Sequence, residues 1–256
     1  MKKYILPLGY VCILTLILMS CSKDKTLHPV DEVTVTKATG NIQGAVDAFR
    51  HLLGDQLNTT PGVTGGRREI NWDGVPDAML GKDLPADFFN PTAPGSPQAR
   101  QRGLSYASGS QFRVSGTNFS EVNSNAAGQF AAFSGDKTFA NVSSNLWEVG
   151  LQKAGQPIPA SVRGFGIVFS DVDLPNSTAV EFFNGSNSLG KFFVPAHDAT
   201  TSFSFLGVYF NNEQRITRVR VSHDGILSDG QKDITDNGTR DLVVLDDLLY
   251  SEPVEL

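Results

Sequence analysis

The chain has 256 residues and carries 21 Lys and Arg against 27 Asp and Glu, a formal charge of −6 at pH 7. After Lys2 and Lys3 no basic run or patch follows, which argues against nucleic acid or a purely electrostatic hold on an anionic bilayer. The two cysteines are Cys12 and Cys21, so nothing beyond residue 21 can form a disulfide or a thiolate metal site, and stability must come from a packed core.

At the N-terminus Met1-Lys2-Lys3 precedes an apolar run from Tyr4 to Met19, then Leu18-Met19-Ser20-Cys21. The run is short for an ordinary transmembrane span. This arrangement resembles a bacterial lipoprotein signal whose lipobox ends at Cys21. The resemblance implies cleavage before Cys21, acylation of its thiol and then of its amino group. Two or three acyl chains, at ~0.8 kcal/mol per buried methylene, hold a protein stably on a membrane. Ser22 stands where an inner-membrane retention signal would carry Asp, which favours the outer membrane. Ser22-Lys23-Asp24 is similar to tags for surface display, although Lys25 interrupts the acidic run. The expected layout is a leader over 1–20, the lipidated cysteine and a flexible tether over 21–40, and one domain over 41–256. The alternative is an ordinary secretion signal in which Cys21 is incidental.

One helix is expected, with Ile42, Val46, Phe49 and Leu53 stepping by 4, 3 and 4, Asn41 placed to cap it and Gly54 to end it. A short strand over 69–73 sets Ile70 and Trp72 against Glu69, Asn71 and Asp73. The stretch 81–103 carries Pro85, Pro91, Pro94 and Pro97 and reads as a long loop. Beyond residue 110 the pattern is one of short strands, at 111–115, 129–133, 138–142, 145–150, 162–172, 178–183, 188–194, 202–210, 216–222 and 241–250. Segments 203–210 and 242–245 are apolar on both faces, whereas Val219 and Val221 alternate with Arg218 and Arg220. Such spacing reads as an all-β sandwich or barrel.

Chemistry is sparse. There is no GxSxG, no phosphate-binding glycine loop, and no histidine spacing that suits zinc. Asp171 and Asp173 stand at i, i+2 and would share a strand face. In Asp246-Asp247 neighbouring side chains would point to opposite faces, so at most one can face the core. Carboxylates converging from two strands would suit Ca²⁺, a hard cation that takes six to eight oxygens. The competing reading makes them turn caps, or partners of Arg163 or Arg240. The Asp- and Gly-rich loop 229–241 lacks the EF-hand pattern and reads as a solvated hairpin loop. Glu69 and Asp73 beside Trp72 form an acid pair of the kind a glycoside hydrolase would use.

Four segments resemble motifs of a group of secreted bacterial β-sandwich proteins with no established activity. They are Gly66–Pro76 (GRREINWDGVP), Val162–Asp173 (VRGFGIVFSDVD), Ser204–Val208 (SFLGV) and Val243–Tyr250 (VVLDDLLY). Together they cover roughly 42–254 and imply one domain. The last also resembles the closing strand of jelly-roll domains such as MAM-like and carbohydrate-binding modules, where acids lie near calcium. The sequence therefore predicts a jelly-roll-like antiparallel β-sandwich with one short N-terminal helix, lipid-anchored in a bacterial envelope. The leading function is a non-catalytic binding module for glycan or another surface polymer, with Ca²⁺ held by Asp171, Asp173 and Asp246 or Asp247. Its ligand-binding aromatics would be Trp72, Tyr106, Trp147 and Tyr209. Two alternatives are an outer-membrane assembly protein that holds an envelope partner through the 81–110 loop region, and a hydrolase using Glu69 and Asp73.

Overall fold

The apolar runs that alternate nowhere in the sequence become strands covered on both sides. A computed structural model describes Met1 and residues 32–256, apart from 198, 200 and 214; the leader, Cys21 and most of the expected tether lie outside the described residues. The chain runs β1 (Val33–Thr39), α1 (Gln43–Leu53), β2 (Arg67–Ile70), β3 (Leu104–Tyr106), β4 (Phe112–Ser115), β5 (Thr138–Asn141) and β6 (Leu146–Leu151). It continues through β7 (Ala160–Ser161), β8 (Gly164–Ser170), β9 (Ala179–Asn184), β10 (Asn187–Phe193) and β11 (Phe203–Phe210). The last strands are β12 (Arg218–Ser222), β13 (Val244–Ser251) and β14 (Val254–Glu255).

The larger sheet has the order β1-β11-β8-β13-β5-β4, with β2 also paired to β13; the second has the order β10-β9-β12-β6-β3. Every strand pairing is antiparallel. Inward side chains of the larger sheet, including Phe165, Ile167, Phe169, Leu206, Leu245 and Leu248, share one core with Trp147, Val149, Val180, Phe182, Val219 and Val221 of the other. The all-β sandwich expected from the sequence is present. Strand order does not by itself establish a jelly roll. On the outer face of β12, Arg220 bonds Glu148 of β6 at 2.7 Å, so that face is the wet one.

Helix α1 accounts for the strands that are apolar throughout. Its stripe of Ile42, Val46, Phe49 and Leu53 packs on Val168, Phe205 and Leu249, on the face of the larger sheet away from the sandwich core. Gly54 ends the helix, its N–H bonding the Arg50 carbonyl, but Asn41 does not cap it; Ile42 holds that position without a side-chain bond. The helix approaches closely because Gly166 and Gly207 are cross-strand partners. A Cβ at either would come within 2.7 Å of the fully buried Phe49 ring.

Three expectations change. The tether does not extend to residue 40, because Val33–Thr39 pairs along its length with β11 as an edge strand. Residues 129–133 are not a strand: Ala131 N–H bonds the Ser170 hydroxyl and Phe133 N–H the Asp246 carboxylate, so side chains replace ladder partners. The 81–103 loop is no detachable arm. Leu84, Phe88 and Phe89 enter the core, and buried Asn90 donates to Gln152, Lys153 and Gln156. Its removal would open the fold, so it is unsuited to being a dispensable partner-binding segment.

Adding a methyl group under Phe49 tests the helix seat. Gly207→Ala should cost about 1–3 kcal/mol by overpacking, read as a lower urea midpoint, and a second Phe49→Leu change should return part of the loss. Simple additivity of the two substitutions would show that the ring does not rest on Gly207.

Candidate functional site

Strand β8 ends at Ser170, and Asp171 then turns into the left-handed region (φ 70°) with its N–H bonded to Ser202 O. Asp is one of the few side chains that tolerate this conformation. Asp173 follows two residues on, and Asp233 arrives from the 229–241 loop. One carboxylate oxygen from each of these three residues lies within 4.8 Å of the others, and all three side chains are buried. Buried Asp241 flanks them.

Fixed donors define the site. Asp233 Oδ1 accepts from Leu242 N–H at 2.7 Å, and its Oδ2 accepts from Thr235 N–H and hydroxyl at 2.8 and 2.7 Å. Asp241 Oδ2 accepts from the Ser177 hydroxyl at 2.6 Å and from Leu174 and Asp173 N–H at 3.0 and 3.2 Å. By contrast, Asp171 is approached only by the Thr201 backbone amide, which bonds Gln129 O at 3.0 Å, and Asp241 Oδ1 accepts no hydrogen bond. At an effective dielectric of about 20, two charges 4.8 Å apart repel by roughly 3.5 kcal/mol. Burial, and then the charges of Asp173, Asp233 and Asp241, therefore push the Asp171 carboxyl up to about 9. Burial also raises Asp241, against the pull of Ser177 and the Leu174 and Asp173 amides.

The salt-bridge alternative gains nothing for Asp171, Asp233 and Asp241. Arg240 bonds Asp224 at 2.8 Å instead, and Arg163 lines a cavity whose lining includes none of the four aspartates. An all-oxygen set matches a hard cation. Oxygens at 2.3–2.6 Å from one Ca²⁺ can lie no more than about 5 Å apart, which the 4.8 Å spread meets. A surface cavity of about 510 Å³ reaches the cluster past Asp173, Ile234 and Thr235. The 229–241 loop is thus not merely solvated, since it supplies Asp233 and Asp241. Its polar composition hid them; the only available signal was Asp spacing within a Gly-rich segment.

Asp246 and Asp247 do not belong to this cluster. They occupy a bulge in β13, where the register with β8 shifts between Leu245 and Leu248. Two bulge residues then oppose Val168 alone, so both side chains turn to the helix side and both are buried. This overturns the expectation that only one could be. Asp246 Oδ2 accepts from Phe133 and Ser134 N–H, and Asp247 accepts from the Ser134 hydroxyl at 2.6 Å and approaches Arg50 at 3.4 Å. Burial and the adjacent Asp247 charge push Asp246 up to about 8; burial also raises Asp247.

The aromatics assigned to a ligand are mostly core residues. Trp72 stacks on Phe139 at 3.8 Å and donates its indole N–H to Asp246 O. Tyr106 is buried against Phe112. Trp147 is buried too and points its indole N–H at His223 Nε2, while His223 Nδ1 meets Gly225 O. Burial holds that imidazole neutral, down to about 4. Tyr209 alone of the four stays half-buried, and it borders a cavity, as the buried Trp72 and Trp147 also do. Glu69 is held by Arg50 at 2.9 Å and Arg67 at 2.6 Å, and Asp73 accepts the Asp136 N–H, so both carboxylates have structural partners.

The raised Asp246 has a signed consequence. Between the ordinary carboxylate range and about pH 8 the folded chain keeps a proton that the unfolded chain has lost, so stability falls as pH rises through that window. Asp246→Asn should flatten the decline by up to about 1.4 kcal/mol per pH unit, in urea melts from pH 5 to 9. An unchanged slope would show that Asp246 ionises freely. In comparisons with known proteins, no family model, no curated protein and no solved structure matches the chain.

Proposed function

We propose that the protein is a lipid-anchored component of a bacterial cell envelope, held through Cys21, whose sandwich is a non-catalytic binding module for glycan or another surface polymer. One end of the sandwich is closed by Ca²⁺ bound to Asp171, Asp173 and Asp233, with Asp241 orienting the loop. The observation that carries the calcium reading is Asp171: fully buried, facing three other carboxylates, and approached by no donor but the Thr201 amide, which bonds Gln129 O. A divalent cation converts that repulsion into cross-linking of two chain segments far apart in sequence. The outer membrane is the favoured location because Ser22 follows Cys21. The hydrolase reading loses its support, since Glu69 is an ion-pair partner and Asp73 caps a turn.

Thermal melts of the full chain in mild detergent, in EDTA and then in millimolar Ca²⁺, test the cation. Saturation at a hundred times Kd adds about 2.7 kcal/mol, or roughly 5–11 °C in a domain of this size. The shift should vanish in Asp171→Asn and persist in Asp246→Asn. Because the cation must displace the proton on Asp171, it should also be larger at pH 8 than at pH 5.5. No shift, or one that survives Asp171→Asn, would remove calcium from the proposal. Separately, Cys21→Ser should move the protein from the membrane fraction to the soluble one; retention on membranes would overturn lipid anchoring.

A further inference from the structure

A second site lies on the helix side of the larger sheet, where α1 ends at Leu53. A cavity of about 530 Å³ opens there between the start of β8, the end of β11 and the C-terminal strand β14. That volume suits a ligand of one or two sugar rings.

Two arginines, Arg163 and Arg215, and two glutamates, Glu252 and Glu255, line this cavity, and Arg215 pairs with Glu213 at 3.6 Å. The acids of the cavity are already committed. Glu252 is bonded by Arg68 at 2.7 Å and Asn58 at 2.8 Å, and Glu255 pairs with Lys153 at 3.1 Å. Arg163, in contrast, makes no side-chain hydrogen bond, ion pair or ring contact among the described residues. Its backbone is nonetheless fixed: the N–H donates to Ser251 Oγ at 2.8 Å and the carbonyl accepts from Phe210 N–H at 2.9 Å. A guanidinium without a partner, on a mount tied to two central strands, is a preorganised anion-binding group.

The neighbouring groups suggest what carries the anion. Tyr209 is half-buried, and its ring lies over Gly164, where a Cβ would meet it at 2.7 Å. No described residue bonds its hydroxyl. Ser161 and Asn184 add hydroxyl and amide groups to the wall. An aromatic ring, scattered neutral hydrogen-bonding groups and the unpartnered fork of Arg163 form a set that matches a ring with hydroxyls and a planar carboxylate. It matches a bare inorganic anion poorly.

We propose that this cavity binds a carboxylate-bearing saccharide, a uronic acid unit of a larger polymer, with Arg163 pairing to its carboxylate and Tyr209 against its ring. This rests on the binding-module reading and names the ligand class and the place for it.

Titration calorimetry of the full chain in detergent, with a uronic acid disaccharide, its carboxyl-reduced neutral counterpart and inorganic sulfate, tests the proposal. The uronate should bind, with the neutral sugar and sulfate at least tenfold weaker. Arg163→Gln should lose tenfold or more, and Arg163→Lys should fall between, keeping charge but losing the fork. Both variants should melt with the native protein, because the guanidinium contacts nothing it would leave unpaired. Sulfate binding as tightly as the uronate would overturn the saccharide class. Uronate binding untouched in Arg163→Gln would overturn the site, and no uronate binding would overturn the inference. Retention of a neutral envelope polysaccharide by native and Arg163→Gln proteins alike would sink this inference yet leave the binding module standing. Retention of no envelope polymer, neutral or acidic, would sink both.

Discussion

Three strands of the larger sheet, β8, β11 and β13, are covered on both faces over most of their length, and much else follows from that. The sandwich core covers one side and α1 covers the other, with Phe49 seated on the Gly166–Gly207 pair. A polar group in such a strand cannot turn to water, and a buried carboxylate without partners costs several kcal/mol. Each polar side chain along β8 and β13 must therefore be met by protein, by a proton or by a cation. Ser170 is met by the Ala131 amide, and Asp246 by the amides of Phe133 and Ser134. The 129–134 segment is thereby tied to the sheet without joining it.

The two carboxylate groups resolve the same demand differently. At Asp246–Asp247 the bulge brings two acids to one face, and Arg50, Ser134 and two amides supply most of what they need. Burial favours a proton on Asp246, whose Oδ1 meets no donor. At Asp171 the donors go instead to Asp233 and Asp241, leaving a fully buried carboxylate with little more than the Thr201 amide. The first group is a closed structural knot and the second is a site with capacity to spare. Adjacent acids in a sequence thus do not mark the more open chemistry.

Much of the architecture was legible because burial leaves a periodic trace. Ile42, Val46, Phe49 and Leu53 mark the helix and its buried side, and Val219 and Val221 the inner face of β12. The uninterrupted apolar run of 203–210 signals a strand covered twice. What escaped was set by backbone geometry or by partners distant in sequence. Edge strand β1 is half exposed along its length and carries Lys37, so its composition is that of a tether. Residues 129–133 alternate like a strand, but their amides bond side chains. A bulge has no signature in two aspartates, and Asp233 is one acid among several in a polar loop. Of the candidate metal site, Asp171 and Asp173 were readable from their spacing, while Asp233 and Asp241 join them only through the fold. The aromatics misled because Trp and Tyr serve a core as readily as a ligand, and only burial distinguishes the two uses.

The pairing of β1 with β11 also sets a mechanical limit. Val33–Thr39 is committed to the ladder and cannot lengthen, so tension arriving from the N-terminal side would enter the fold along β1, which is registered residue by residue from Val33↔Phe210 to Thr39↔Ser204. Tension along that strand loads its ladder in shear, so the bonds share the force instead of opening one after another. An edge strand in this position works as a strain relief for the sheet behind it.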